Sequence, residues 1–544
     1  MNRLNRRSFL GLTAGLAGAA ALSACGGGSS ASPAGAPKDL LLPDSVTPPA
    51  LPGQLSSTVG GVLPAYTQYP ASPKPSVSAP PGSGGDITTM QVNYNAPPPA
   101  LSGNIWQQEL NKQLNANIKA TLVTDADLAQ KTQTFIASGD IPDIFYLNLQ
   151  PNKAPAALGA VLQGAFIELS PYLGGSHSKD YPNLAALPAV SWKNSAIQGG
   201  LYGVPRPVPA ANTGQPLFRA DWMQRLGGKA PTNADEVYAM LKAFSTNKTW
   251  AFGAVTPWDQ EFVLSMFGVP NNWRLNSDGT LTSYIETDEF EAALEFLVKL
   301  WKDGGFHPNA ASNNYSQEQD LWTGGSTGFF GGNMLASLTY LRGTPIKGVA
   351  DMVGSIKPFI APGKDGGAAG FYQGPASYGM FSIPSTHAKD EKKVRELLSV
   401  LNYFAAPFGS AEYTLINYGV EGHNYTMKDG IPTPSQNPAM LAEMAGQYVP
   451  SPIEASIYDP GPPNESATIQ KYFEQVTPSL VPDPTMTKVS QTRVAKGATL
   501  DKLIQDEFKA IVSGQKPLSE LDTLRKNWKA QGGDAVRREF QDSK

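Results

Sequence analysis

The sequence predicts an α/β protein of two lobes, and three observations carry that expectation. Residues 86–147 alternate strand, helix, strand, helix, strand, an order that puts parallel strands in one sheet with helices crossing between them. The chain has 544 residues, more than a single core accommodates. A short apolar strand from Leu201 to Pro209 carries prolines at 205, 207 and 209, which fix φ and stiffen a segment passing between two bodies.

Composition narrows the class. There are 42 Lys and Arg against 46 Asp and Glu, a net charge of −4, and no block of basic residues marks a nucleic-acid surface. The single cysteine, Cys25, excludes an intrachain disulfide and any multi-cysteine metal site. No apolar run of about 20 residues follows the leader, so no later segment is expected to span a membrane.

Residues 1–25 read as an export signal. Arg6 and Arg7 precede an apolar stretch from Leu10 to Leu22, and Cys25 follows it directly before three glycines. Residues 26–85 hold 12 Pro, 10 Gly, 10 Ser and four charged residues. No hydrophobic periodicity survives there, so the window is expected to be a disordered tether that buries nothing.

Folding is expected to begin near Asp86. Ile87–Asn93, Ile118–Val123 and Ile144–Leu147 read as strands. Ile105–Leu114 and Leu128–Ala137 read as helices, the second stopped by Gly139. Beyond the crossing, a helix from Phe218 to Leu226 ends at Gly227 and Gly228, and another opens at Thr232 and Asn233. Val237, Met240, Leu241 and Phe244 share one helical face, as do Phe290, Ala293, Leu294, Leu297, Val298 and Trp301. Ser277 to Thr280 reads as a hairpin turn. The glycine-rich stretch from Thr323 to Asn333 reads as a second crossing, and Lys392–Phe404 as an amphipathic helix.

Catalytic and cofactor constellations are missing from the sequence. His177, His307, His387 and His423 are scattered, with no paired metal-ligand spacing. Gly324 to Gly332 lacks the Lys-Ser/Thr ending of a phosphate loop. Asp235 and Glu236 fall in the first turn of a helix, where negative charge is favoured without chemistry. Asn276 to Gly279 fits a hairpin better than a calcium loop. Neither a cofactor nor a metal is expected.

The run from Leu201 to Pro209, with Arg219 to Trp222, Leu226, Gly227 and Asp235 to Phe244, resembles the signature of extracellular solute-binding proteins. Those proteins deliver substrates to ABC importers, and the likeness is to the long lipoprotein branch related to maltose-binding protein. Ser138 to Ile144 matches a turn of the family's first lobe. Trp301 to Pro308 matches a helix exit, with Phe306 and His307 departing from the usual residues. Thr323 to Met334 is similar to the segment that returns to lobe 1, without the family's lysine. Lys392–Phe404 resembles a helix leading back into lobe 2.

The resemblance implies a periplasmic-binding-protein-like fold of type II, with a ligand cleft between lobes joined by hinge crossings at 201–209 and 323–333. Lobe 1 would comprise 86–204 and 325–388, and lobe 2 would comprise 205–324 and 389–544. Asn5 to Leu10 resembles a twin-arginine (Tat) motif, and Leu22 to Cys25 resembles a lipobox. The resemblance therefore implies lipidation at Cys25, palmitate included, and a monomer held on the extracytoplasmic face of the cell membrane by its lipid alone. Its partners would be ABC permease subunits and a sugar or oligosaccharide, with no nucleic acid.

Aromatic faces beside neutral or charged hydrogen-bonding groups suit a sugar. Residues near loop ends supply candidates: Asn104, Trp106, Tyr146, Asn148, Tyr202, Arg206, Trp258, Trp273, Trp322, Asn333, Phe371 and Tyr372. Trp222 and Trp301 are assigned to the core by their helical spacing. Two other readings stay open at this point. One is a cell-surface glycoside hydrolase with two carboxylates across a cleft, and the other is a surface binding or sensor lipoprotein with no transport role.

Overall fold

A computed structural model describes residues 39–94, 96–148, 155–211, 216–331, 345–447, 449–459, 461 and 464–543. Cys25, the export signal and Asn333 lie outside these residues.

Lobe 1 begins with three parallel strands, β1 (Asp86–Asn93), β2 (Asn117–Thr124) and β3 (Ile144–Leu147), joined by α1 (Ile105–Leu114) and α2 (Leu128–Ser138). Local chemistry sets these boundaries. Asn104 caps α1 by accepting from the Gln107 N–H at 2.8 Å. Gly139, at φ 73°, closes α2 in the left-handed conformation. Helix α3 (Pro155–Leu162) and strand β4 (Val204–Pro207) follow.

The chain then enters lobe 2 as β5 (Leu217–Arg219), packs α4 (Ala234–Phe244), α5 (Asp288–Lys302) and α6 (Tyr315–Thr323), and adds β6 (Phe329–Phe330) and β7 (Ile356–Pro358) antiparallel to β5. Helix α5 carries Asp288, Glu289 and Glu291 in its first turn and Lys299 and Lys302 in its last, matching the helix dipole at both ends. After β8 (Phe371–Tyr372) the chain returns to lobe 1 as β9 (Ser377–Ser382) and α7 (Glu391–Phe404). It crosses a third time to supply α8 (Ser466–Val476) and α9 (Gln491–Val512) to lobe 2. The lobe 1 sheet has the order β2-β1-β3-β9-β4, with β9 antiparallel to both neighbours.

Each lobe has its own apolar core. In lobe 1, Val92 and Phe145 join Trp106, Leu110, Val394, Leu397 and Leu401. In lobe 2, Phe218, Phe262, Phe329 and Phe359 form a ring cluster, with Phe262 and Phe329 stacked at 5.4 Å. Val237, Leu241, Leu294, Leu297 and Phe508 close around that cluster.

Phe218 and Arg219, expected to open a helix, belong to strand β5, and the helix starts at Ala220; beyond that boundary the structure differs from the sequence expectation in three respects. Residues 323–331 do not cross between lobes. Phe329 pairs with Phe218, and a Cβ on Gly328 would fall on the Phe244 ring. The glycines there permit close packing instead of loosening a hinge, and the return to lobe 1 lies between Tyr372 and Ser377. Helix α7 packs in the lobe 1 core, so the second part of lobe 1 runs well past residue 388 and the lobe 2 remainder starts near Ile457.

The third difference concerns the tether. Residues 39–85 lie on both lobes. Leu40 and Leu42 pack on the lobe 1 core, and the Asp44 N–H donates to the Gly175 carbonyl at 3.1 Å. A two-stranded ribbon, Gln54–Leu55 with Ala65–Tyr66, then lies against α8, whose Gln470 side chain donates to the carbonyls of Leu55 and Leu63 at 3.0 Å each. Tyr66 and Tyr69 are buried beside Phe408 and Tyr413, and Ser76 donates to Glu412. The apolar residues are spaced irregularly between prolines, which hides them from any periodicity criterion.

Candidate functional site

The crossings leave a cavity of about 390 Å³ lined by both lobes. Lobe 1 contributes Asn148 at the carboxyl end of β3, Asn194 to Ile197, and Ser377 to Met380 at the start of β9. The carboxyl edge of a parallel sheet is where loops leave room for a ligand. Lobe 2 contributes Asn272, Trp273, Ser283 and Tyr284, then Asp483 to Ser490, Arg493, Asp501 and Trp528.

Polar groups of the walls are mostly tied. Tyr146 donates its hydroxyl to the Tyr378 carbonyl at 2.6 Å, and Arg206 lies 5.0 Å from the Tyr378 ring. Arg493 grips Asp501 through two bonds of 2.7 and 3.0 Å. Lys488 donates to the carbonyls of Phe540 and Ser543, 2.7 Å each. Asp483 accepts from Thr485 and Asn272, yet burial dominates and pushes its carboxyl above the usual range. By contrast, the buried Asn194 Nδ2 has no hydrogen-bond partner and lies in the cavity wall.

A second feature lies on lobe 2. Trp258 and Tyr315 are 43% and 51% exposed, with ring centroids 6.4 Å apart. Behind them Asp259 and Glu318 are buried against Gly331. Burial raises Asp259 to about 6, although Thr256 donates to it at 2.7 Å. Burial, and then the neighbouring Asp259, push Glu318 well above the ordinary carboxylate range.

Of the residues proposed from sequence, Asn148 and Trp273 line the cavity, and Tyr146 and Arg206 lie behind its wall. Trp258 is on the exposed lobe 2 surface. Asn104 and Trp106 are elsewhere in lobe 1, where Asn104 caps α1 and the Trp106 indole donates to the Leu415 carbonyl at 2.8 Å. Tyr202, Trp322 and Phe371 are buried in apolar cores, and the Tyr372 hydroxyl donates to the Val269 carbonyl at 2.9 Å within lobe 2. Asn333 falls outside the described residues. Sequence reasoning missed Asn194, Tyr378, Asp483 and Arg493, which belong to no motif. It also missed Tyr315 and Glu318, where the capping pair Asn314 and Gln317 signalled a helix start without hinting at a site.

No family model matches the chain. It is 25% identical over 473 residues to the polygalacturonan/rhamnogalacturonan-binding protein YtcQ of Bacillus subtilis, covering 84% of this chain and 91% of that one. It is 28% identical over 462 residues to lipoprotein LipO of the same organism, covering 79% and 87%. Among solved structures, an HMO-binding, ABC-transporter-associated solute-binding protein from Bifidobacterium longum infantis superposes with a TM-score of 0.61 at 17% identity, over 86% of this chain and 98% of the other. The chain is thus similar over most of its length to extracellular solute-binding proteins, and it has their two-lobed α/β fold.

Proposed function

We propose that this solute-binding protein captures a sugar or oligosaccharide between its lobes and presents it to the permease of an ABC importer. The observation that carries the reading is the cavity lined by both lobes, with carboxamides, hydroxyls and indole edges in its walls and the Asn194 Nδ2 donor left without a partner. Groups of that kind match the alternating hydroxyls and apolar faces of a pyranose. A ligand spanning such a cavity touches both lobes and so favours the state in which they are closed. The relatives named as a polysaccharide-binding protein and a lipoprotein support the same reading.

The protein acts without chemistry in this reading, as a monomer on the extracytoplasmic face of the membrane, held by lipid at Cys25. Among the described residues no helix is long and apolar enough to cross a membrane. A thermal-shift screen over mono- and oligosaccharides tests the binding function. A ligand at one hundred times its Kd adds about 2.7 kcal/mol of stability, and Asn194→Ala should reduce the shift. A panel in which no saccharide raises the melting temperature would sink the proposal.

A further inference from the structure

We infer that the Tyr378 ring is the platform on which one pyranose of the ligand stacks, and that with Asn194 it forms a single subsite on the lobe 1 wall of the cavity. The inference rests on the function proposed above.

Among the described residues, five aromatic side chains line the cavity: Trp273, Tyr284, Tyr378, Trp528 and Phe540. Lobe 2 claims the other four for its interior. Trp273, Trp528 and Phe540 belong to its core, with the Trp273 ring 5.8 Å from Trp528 and 5.9 Å from Phe540. Tyr284 packs on the same core, its ring 5.3 Å from that of Phe290. Tyr378 belongs to no apolar core. One face of its ring is taken by the guanidinium of the buried Arg206, 5.0 Å away. The ring is thus braced from behind in a cavity wall, and the C–H face of a pyranose packs on such a surface.

The backbone is arranged to hold this ring. Strand β9 slips register by one residue between the Ser377–Pro207 and Met380–Pro205 pairs, and a bulge of this kind re-aims a side chain. Gly379 adopts φ 151° within it, where a Cβ would fall 2.5 Å from the Leu147 carbonyl oxygen and 2.9 Å from the Tyr146 ring. Ala376 is left-handed at φ 57°, a conformation that an alanine keeps only under constraint. The Ser191 hydroxyl supplies the constraint by donating to the Ala376 carbonyl at 2.6 Å. Ser191 also fixes where Asn194 lies. Both are on the helix Ala189–Ser195, three residues apart and so on one face. The turn that grips Ala376 therefore carries Asn194 toward Tyr378. Its Nδ2, buried without a partner, is the donor placed to meet a hydroxyl at the rim of the stacked sugar.

The test titrates the full chain calorimetrically with gluco-, galacto- and manno-configured disaccharides and with digalacturonate, and repeats the tightest pair with variants. Tyr378→Ala should weaken binding by about tenfold or more. Tyr378→Leu, bulky but without a flat ring, should lose nearly as much, whereas Tyr378→Phe should stay within about threefold of the parent. Ring current should move C–H protons of the bound sugar upfield in the parent, and saturated Tyr378→Leu should lose most of that movement. Combined with Asn194→Ala, Tyr378→Ala should cost less than the product of the two separate losses, because both act on one ring. Full binding by Tyr378→Ala or Tyr378→Leu would overturn the platform and leave the proposed function standing, as would a Tyr378→Phe loss equal to that of Tyr378→Ala. A double loss equal to the product would overturn the shared subsite. Failure of every saccharide to bind would overturn the proposed function, and this inference with it.

Discussion

Replacing Tyr66 by Ala should cost the protein about 3 kcal/mol, although the residue belongs to a Pro/Gly/Ser-rich stretch that looks like a linker. The Tyr66 side chain is 8% exposed and its ring stacks on Phe408 at 4.1 Å and 21°. Truncation of a buried aromatic removes its transfer energy and leaves a cavity, and loss of a stacked pair adds about 1 kcal/mol. Tyr69 offers an internal control. Its hydroxyl lies 2.6 Å from Thr414 Oγ1, which also donates to the Ser410 carbonyl at 2.8 Å. Tyr69→Phe should therefore lose only about 1 kcal/mol, while Tyr69→Ala should lose several times that. Urea unfolding with matched slopes reads both. A truncated chain beginning at Asp86 should be less stable than either variant, because it also bares Ile469 and Tyr472 on α8. Equal midpoints for the full and truncated chains would show that residues 39–85 contribute no packing, and the account of this segment would fall.

Gly328→Ala should destabilise lobe 2 by about 1–3 kcal/mol, since the added methyl meets the buried Phe244 ring; a thermal melt like that of the parent would contradict the packing described. Asp259 has its carboxyl raised from 3.8 to about 6, so the folded state holds a proton that the unfolded state releases, and stability falls as pH climbs between those values. Asp259→Asn removes that loss, so its stability relative to the parent should improve by about 2 kcal/mol between pH 4 and pH 7, read by urea titration at both ends; a difference independent of pH would refute the burial argument. Small-angle scattering should give a smaller radius of gyration once a saccharide from the thermal screen is bound, and an unchanged radius would count against closure about the crossings.

The opening of lobe 1 was legible because its signals are local. Ile105–Leu114 was read to the residue and strand Ile144–Leu147 likewise, with an apolar periodicity and a polar cap or glycine at each end. The crossings were less so, because a glycine that frees the backbone and a glycine that admits a neighbouring ring look alike in sequence. Gly328 is of the second kind. The aromatics met the same ambiguity. Trp106 and Trp322 satisfy every criterion for a sugar platform except exposure, and exposure is decided by the tertiary fold. Asn148 and Trp273 were reachable because each adjoins a strand end. Asn194, Asp483 and Arg493 come together from segments nearly 300 residues apart, with nothing in any one segment to mark it.

The packing of residues 39–85 shortens the leash. With Cys25 as the proposed lipid anchor, only the fourteen peptide steps to Asp39 separate the bilayer from the chain's first described residues on lobe 1. Fully extended, they reach at most about 50 Å. A permease beside the anchor then meets the protein at an effective concentration on the order of several millimolar, well above what a sixty-residue tether would supply. The grip falls on both jaws: the Leu40–Asp44 segment is fastened beside Gly175 on lobe 1, and the Gln54–Tyr66 ribbon is fastened to α8 of lobe 2. Any swing of lobe 2, with its Trp258 and Tyr315 surface, therefore carries part of this strap with it.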